Sequence, residues 1–346
     1  MLELKDFIIE IAGLMSVTGS EGYDAAALDV QLSGFDEQYV DAVGNRVYIR
    51  RCGREGAPRI LIDTHFDEIG MLVTDIKEGG FLSVTGVGGL DARTLASARV
   101  RIYGDKVIDG VMGSTPPHLA GKEKKLQGAD KLLVDTGYPK EELEKIVRIG
   151  TPVGFAPEYR TLAGGRIAGK GFDNKACAAI AAKAMMELPR DALAGDVYLL
   201  LSVREETGKY GGVSPAVLAI NPDYAMVIDV NLGFMSGADK RACVEMGKGP
   251  SLARSAIVDR RLTKALEDIC DKQGIPWQIS VEPKRTGTNT EELCLVGAGV
   301  PTADVGLPLT SMHTYNEALD LRDAEALCRL VAAFASDKTI GEVLAV

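Results

Sequence analysis

Four short apolar runs, separated by stretches with helical periodicity, constrain the fold of this 346-residue chain more than any other feature. The runs cover residues 59–63, 196–203, 225–229 and 300–305. Near-continuous apolar strands indicate a sheet that is buried on both faces, and their alternation with helices indicates that the sheet is mostly parallel. We therefore predict an α/β domain whose sheet is flanked by helices over 175–188, 260–273 and 322–334.

About a hundred residues between the first predicted strand and the first of these helices do not show this alternation of apolar strands and helices. A single crossover connection needs far fewer residues. The stretch is rich in glycine and in short alternating segments, such as 81–84, which are typical of strands joined by tight turns. We therefore predict a small, barrel-like β-rich domain over 69–165, inserted into a discontinuous α/β domain formed by residues 1–68 and 166–346.

The composition argues against several classes of partner. The chain has 49 acidic and 39 basic residues and a net charge of −10, whereas nucleic-acid binding needs clustered positive charge, so we expect no nucleic-acid partner. No apolar stretch approaches the ~18 residues of a membrane helix, so we expect no membrane partner. Six scattered cysteines without a C-x-x-C pair, and acidic residues that interrupt any signal-peptide core, predict a cytoplasmic protein.

Imidazole and carboxylate side chains follow the carboxyl ends of the predicted strands. In chain order these candidates are His65, Asp67, Asp173, Glu205, Glu206, Asp229 and His313. Because ligands bind in the crevice beyond the carboxyl ends of the strands in an open α/β sheet, we expect these side chains to converge there. Imidazole and carboxylate together are the ligands that zinc-like ions select, and catalytic sites of this kind keep a position open for water.

Each of these patterns is weak when it is taken alone. A lone His-x-Asp is usually a polar turn, and an adjacent pair such as Glu205 and Glu206 is usually a solvated pair. Five patterns that fall on strand ends in one crevice jointly favour a metal site. Successive side chains on an extended segment point in opposite directions, so one glutamate could bind metal while its neighbour reaches the water from the other side.

The motifs around these residues resemble those of the tetrahedral (TET) aminopeptidases, a di-metal group that includes glutamyl aminopeptidases and proteins once labelled endoglucanase M. The motifs that carry the resemblance are HFDEIG at 65–70, GFDNK at 171–175, EETG at 205–208, IDV at 228–230 and His313, together with DAVGN at 41–45 and GSTPPH at 113–118. The likeness covers essentially the whole chain, and the five ordered motifs make it specific.

The resemblance implies a site for two divalent metal ions, for which zinc, cobalt and manganese are all suitable. The implied roles are that Asp173 bridges both ions, that His65 and Asp229 complete one ion, and that Glu206 and His313 complete the other. Glu205 would be the general base, which takes a proton from water and later delivers it to the leaving amine. Asp67 would fix the tautomer of His65 and raise its basicity. A cis peptide bond between Asp173 and Asn174 is also implied.

The function that the resemblance implies is a metal-dependent aminopeptidase that removes N-terminal residues from short peptides. It also implies self-assembly, from dimers formed through the β-rich insert to dodecameric tetrahedra whose hollow interior admits small peptides. Three motifs depart from the family pattern, at four positions. Thr310 and Ser311 stand where Arg-Tyr is usual, Asn289 where aspartate is common, and Arg204 where glutamine is common. None is an implied ligand, so the departures bear on substrate preference and catalytic rate.

Other functions remain alternatives at this point. An N-acyl amino acid deacylase or a carboxypeptidase of the same clan would keep the metals and change the substrate. A glycosidase would need two carboxyl groups ~5–10 Å apart around the sugar and usually no transition metal. A non-catalytic or weakly active assembly protein is the last alternative, because the loop before His313 is altered. A panel of aminoacyl, blocked and C-terminal substrates would separate the deacylase and the carboxypeptidase from the aminopeptidase, and chelator-resistant cellulose hydrolysis would favour the glycosidase.

Overall fold

The computed structural model describes residues 2–113, 132–208 and 211–345, so residues 114–118 of the GSTPPH motif, His118 among them, lie outside the described residues. The strands are β1 (Glu37–Val40), β2 (Arg46–Arg50), β3 (Arg59–His65), β4 (Gly70–Ile76), β5 (Phe81–Val87), β6 (Arg99–Tyr103), β7 (Val107–Met112), β8 (Leu133–Asp135), β9 (Pro152–Phe155), β10 (Arg160–Leu162), β11 (Arg166–Gly169), β12 (Asp196–Ser202), β13 (Tyr224–Leu232), β14 (Ser251–Ser255), β15 (Gln278–Glu282), β16 (Thr302–Thr310) and β17 (Glu317–Asp320). The helices are α1 (Leu4–Gly13), α2 (Ala25–Gln31), α3 (Ala92–Leu95), α4 (Lys140–Ile146), α5 (Phe172–Glu187), α6 (Val213–Ile220), α7 (Arg260–Gln273), α8 (Thr290–Leu293), α9 (Leu321–Ser336) and α10 (Ile340–Leu344).

Eleven strands form one large sheet in the described part of the chain. Its order is β1-β2-β12-β3-β13-β16-β17-β11-β10, with β14 pairing to both β16 and β15. The central neighbours β12, β3, β13 and β16 are parallel, and they are the four strands that the apolar runs predict. Antiparallel strands extend the sheet at both margins. The predicted α/β fold with a mostly parallel sheet is confirmed, and the four parallel strands end at the same edge.

The predicted helices are present, with small shifts at their ends. Helix α7 has the predicted limits, because the Asp259 side chain accepts hydrogen bonds from the first N–H groups and Gly274 ends the helix in the left-handed conformation. Helix α5 is buried along nearly its whole length and packs between the sheet and helices α1 and α9. Its alanines keep the packing distances short. In the described residues, no helix combines the length and the apolar character that a membrane crossing requires.

A second, smaller unit is a closed barrel of six strands in the order β4-β5-β8-β7-β6-β9. It has an apolar core of its own, which includes Met71, Leu82, Val100 and Val134. The predicted barrel-like insert is therefore present. The next strand, β10, pairs with β11 and so belongs to the large sheet. The domain limits at 69 and 165 stay a prediction, as does the role of the barrel in dimer contacts.

Candidate metal centre

The edge where the parallel strands end collects the predicted side chains. His65 is the last residue of β3 and lies opposite Ser202, the last residue of β12. Glu205 and Glu206 follow the end of β12 after two intervening residues, and Asp229 lies on β13, the other neighbour of β3. These positions follow from parallel strands of similar length, because their carboxyl ends then lie side by side.

Two aspartate side chains lie close to the Nε2 atom of His65. This atom lies 3.2 Å from Oδ1 of Asp173 and 3.5 Å from Oδ1 of Asp229. His65 is 2% exposed, and both aspartates are 6% exposed. We call His65, Asp173 and Asp229 the first ligand group. Three donor atoms this close and this well buried are suited to one divalent ion.

A second set surrounds the Nε2 atom of His313. It lies 3.3 Å from the other carboxylate oxygen of Asp173, Oδ2, and 3.4 Å from Oε1 of Glu206. We call Asp173, Glu206 and His313 the second ligand group. Within each group the candidate ligand atoms lie within 4.8 Å of one another. The two oxygens of Asp173 thus face two different imidazoles, which is the arrangement that a carboxylate shared by two ions requires.

The peptide bond between Asp173 and Asn174 is cis, as the resemblance implies. The Asn174 side chain is fully buried, and its Nδ2 donates to the carbonyl oxygen of Ile228, next to Asp229. The backbone N–H of Asp173 donates to the Glu317 carboxylate. The start of α5 is therefore fixed to both β13 and β17.

Asp67 contacts the His65 ring on the side away from the ligand groups, and its effect on the tautomer and basicity of His65 stays a prediction. The Nδ1 atom of His65 lies 3.0 Å from the backbone carbonyl oxygen of Asp67 and 3.5 Å from its carboxylate. The buried carboxylate also accepts hydrogen bonds from the backbone N–H groups of Glu205 at 3.1 Å and Glu206 at 3.2 Å, and from the hydroxyl of Thr18 at 2.8 Å. Asp67 thus orients the His65 ring through its main chain and anchors both glutamates through its side chain.

The expectation that Glu205 and Glu206 lie on an extended segment is wrong. They begin a 3₁₀ turn, Glu205–Thr207, which follows Arg204 in the left-handed conformation with φ 67°. The physical reason is the Asp67 carboxylate, because two consecutive N–H groups can point at one acceptor in a turn but alternate in direction along a strand. The turn places Glu206 beside His313, and Glu205 lines a cavity together with residues of both ligand groups.

The electrostatics of the site follow from its burial and its crowding of acids. Burial raises the pKa of Glu205 to about 8; His65 opposes the rise, and Asp229 adds to it. Burial also acts to raise the pKa of Asp173, but hydrogen bonds with His313 and His65 outweigh it and the pKa is lowered. The pKa of His313 is raised to about 11, chiefly by its contacts with Asp173 and Glu206. Each imidazole is thus paired with carboxylates, and the donor set suits divalent cations.

Sequence reasoning missed Glu317, a buried residue on β17. Its Oε2 atom accepts the backbone N–H groups of Phe172 at 2.7 Å and Asp173 at 3.1 Å, and its Oε1 atom accepts that of His313 at 3.1 Å. It lies four residues after His313, and this spacing does not match a known metal-ligand motif.

Gly89 was also missed as a residue of the site. A Cβ atom at this position would lie 2.6 Å from Nδ1 of His313, so only glycine lets the loop after β5 approach the imidazole so closely. At the neighbouring Gly88, a Cβ would lie 3.3 Å from Oε2 of Glu206. A loop that follows a barrel strand therefore closes one side of the second ligand group, and the glycines at 88–89 were the only signal in the sequence.

A cavity of about 330 Å³ adjoins the two ligand groups. Besides the ligand-group side chains and Glu205, its charged lining residues in the described part of the chain are Glu282 and Asp304. Asp304 is 7% exposed, and its Oδ2 accepts hydrogen bonds from two threonine hydroxyls, Thr288 at 2.6 Å and Thr290 at 2.7 Å. Val230, Leu232 and Met312 supply apolar lining.

The departure at Asn289 has a structural explanation. Its Nδ2 atom donates to Oδ2 of Asp63 at 2.9 Å and to the hydroxyl oxygen of Ser202 at 2.8 Å. Asp63 is fully buried on β3, and burial raises its pKa to about 7. An aspartate at position 289 would place a second carboxylate against Asp63, whereas the amide supplies a donor. Nothing in the structure explains Thr310.

Comparisons with known proteins agree with this geometry. The sequence profile of the family described as M42 glutamyl aminopeptidase matches residues 44–330. The chain is 31% identical over 340 residues to the lysyl aminopeptidase of Pyrococcus furiosus, which covers 96% of this chain and 95% of that protein.

Solved structures show the same fold. Aminopeptidase APDkam598 of the archaeon Desulfurococcus kamchatkensis superposes with a TM-score of 0.89 at 30% identity, covering 99% of this chain and 96% of that one. The TET1 peptidase of Pyrococcus horikoshii, which can assemble into a tetrahedron or a large octahedral shell, gives 0.84 at 29% identity, covering 97% and 100%. These findings confirm the resemblance to TET aminopeptidases. The chain therefore belongs to the M42 glutamyl aminopeptidase family, and it is a metal-dependent aminopeptidase.

Proposed function

We propose that the chain removes the N-terminal residue from short peptides with the help of two divalent ions, one held by each ligand group. The observation that carries this proposal is that the two oxygens of Asp173 face the imidazoles of His65 and His313 at 3.2 and 3.3 Å. When bound, two such ions polarise a peptide carbonyl and lower the pKa of water. Zinc, cobalt and manganese all suit this donor set.

Glu205 is the general base in this proposal. It lies on the wall of the cavity next to both ligand groups, and its backbone N–H is fixed by Asp67. Its position beside both ligand groups lets its carboxylate reach a water held there. Glu205 therefore takes a proton from the attacking water and delivers it to the leaving amine. Glu206, whose carboxylate lies 3.4 Å from His313, is a ligand rather than a base.

We also infer that the preferred N-terminal residue is basic. The cavity beside the ligand groups has two acidic residues, Glu282 and Asp304, at its lining, and apolar side chains that can pack against the stem of a lysine. Arg285, a nearby basic residue, donates to Glu291 at 2.7 Å, is largely exposed and does not line this cavity. A similar protein, from Pyrococcus furiosus, is named a lysyl aminopeptidase.

The test of this preference is a double substitution, Glu282→Gln with Asp304→Asn. A hydrogen bond to a charged group contributes about 1.5–3 kcal/mol, so we expect kcat/KM for a lysyl substrate to fall about tenfold or more. The value for a leucyl substrate should change little. Glu245→Gln, at an exposed position outside the cavity, is the control and should leave the lysyl-to-leucyl ratio unchanged. An unchanged ratio in the double variant would refute the inference.

The proposed function as a whole is tested by metal analysis combined with a chromogenic aminoacyl panel. The purified protein should contain two divalent ions per subunit and hydrolyse free aminoacyl substrates, while N-blocked and C-terminal substrates stay intact. A chelator should abolish the activity, and zinc, cobalt or manganese should restore it. Two bound ions with cleavage only of N-acyl substrates would favour a deacylase, and binding without any cleavage would favour an assembly protein.

We further infer that the chain self-assembles into a closed particle of dimers, up to a dodecamer. A similar protein, the TET1 peptidase of Pyrococcus horikoshii, assembles into tetrahedral or octahedral shells, and its chain is covered over its full length by this one. The barrel carries exposed apolar side chains, Val107, Val111 and Leu133, which an interface would cover. The particle mass in solution at micromolar concentration checks this, since the mass of a single subunit would exclude it.

A further inference from the structure

We infer that Glu317 is a positioning residue that controls the metal occupancy of the second ligand group. Its carboxylate accepts hydrogen bonds from the backbone N–H groups of two ligands of that group, Asp173 and His313, and so fixes the position of one relative to the other. The inference rests on the proposed two-metal function, and it adds a residue that contacts neither substrate nor metal.

The contacts of Glu317 join two segments that are distant in the chain. One carboxylate oxygen accepts from Phe172 at 2.7 Å and from Asp173 at 3.1 Å, and the other accepts from His313 at 3.1 Å. Glu317 is 2% exposed and lies on β17, which pairs with β11 and β16, the strands that lead into these two segments. A rigid strand therefore carries the carboxylate that fixes both.

The backbone of the segment that contains His313 needs a restraint from outside the segment. His313 has φ 59° and Ser311 has φ 56°, and the left-handed region is unfavourable for residues other than glycine. Such conformations persist when the surroundings fix them. The hydrogen bond from the His313 N–H to Glu317 supplies this restraint on the backbone, while the Gly89 loop packs against the ring.

The first ligand group depends less on Glu317. His65 and Asp229 lie on the central strands β3 and β13, whose positions are set by the sheet ladder. In the second group, Glu206 lies on a turn and His313 on a loop. Loosening Glu317 should therefore weaken the second group selectively, although the two groups share Asp173.

The experiment is Glu317→Gln, studied by titrating metal-depleted protein with cobalt. Glutamine keeps the size of the side chain, but in either orientation its NH₂ group faces a backbone N–H, so it must release either His313 or the start of α5. Loss of a residue that orients a ligand typically weakens metal binding 10–100-fold. We expect wild type to bind two ions, and the variant to bind one ion about 10–100-fold more weakly and the other with a smaller loss of affinity, by calorimetry and by the visible absorption of cobalt.

Asp323→Asn is the matched control, because Asp323 is another buried carboxylate that accepts two backbone N–H groups, from Gly247 and Gly249. It should lower thermal stability and keep both ions. If Glu317→Gln does not fold, as judged by circular dichroism of the metal-free protein, Glu317→Asp keeps the carboxyl group but is too short to span both segments, and the same weakening of one ion is expected. Two ions of wild-type affinity in a folded Glu317 variant would overturn the inference while leaving the proposed function intact. A wild type that binds fewer than two ions would instead overturn the proposed function.

Discussion

Glu205→Gln is expected to retain both metal ions and to lower turnover by about 10²–10⁴-fold, the range for loss of a general base. Glutamine keeps the shape of the side chain and leaves the backbone N–H of residue 205 on Asp67. It cannot accept the proton of the attacking water, so kcat should fall while KM changes little. Metal analysis and steady-state kinetics with an aminoacyl substrate are the measurements.

The neighbouring substitution Glu206→Gln is the control for this experiment, because it makes the same chemical change one residue along the turn. Since Glu206 lies 3.4 Å from His313, its variant should lose affinity for one ion. The contrary result would be metal loss in Glu205→Gln and metal retention in Glu206→Gln. That result would mean that the two glutamates have exchanged roles.

Asp173→Asn is expected to have the largest effect on metal content. Asparagine has one side-chain oxygen, so only one of the two ligand groups can keep an oxygen ligand from residue 173. The NH₂ group faces the other ligand group, and the carboxylate that both groups share is lost. Loss of a residue that merely orients a ligand weakens metal binding about 10–100-fold, so loss of the bridging ligand should exceed about 100-fold. Metal content after dialysis and activity at saturating metal are the measurements.

The control for Asp173→Asn is Asp259→Asn at the start of α7. Asp259 caps the helix through two backbone N–H groups, and asparagine is about as good a cap as aspartate. This variant should keep both ions and nearly full activity. If Asp173→Asn also retained two ions at wild-type affinity, the proposal that Asp173 is shared would be wrong.

Much of the fold could be predicted because the signals are local. The four central strands are continuous apolar runs, and α7 has the predicted limits because a capping aspartate and a terminal glycine mark its two ends. A barrel-like β domain was predicted from the many glycines and the short segments in which apolar and polar residues alternate. Strand β10 was not predicted, because it is short and exposed and its pairing with β11 leaves no pattern of alternation.

The candidate site was predictable in its members because parallel strands bring their carboxyl ends to one edge. The turn at Glu205 was not predictable, since the side chain that bends it, Asp67, lies 138 residues earlier in the chain. The backbone carbonyl of Asp67, 3.0 Å from Nδ1 of His65, was likewise not predicted as a partner of the ring. Which atom of a residue makes a contact depends on the backbone path, and the residue type does not specify that path.

By itself the sequence determined the strands, most helix limits, and the residue types that collect beyond the strand ends, because apolar periodicity and capping act between near neighbours. Only the tertiary structure decided that the two oxygens of Asp173 face different imidazoles, that Glu317 holds two ligand segments together, and that Gly89 brings a barrel loop against His313. The physical reason is that these contacts join segments more than a hundred residues apart, and their geometry is set by the packing of sheet against barrel and helix.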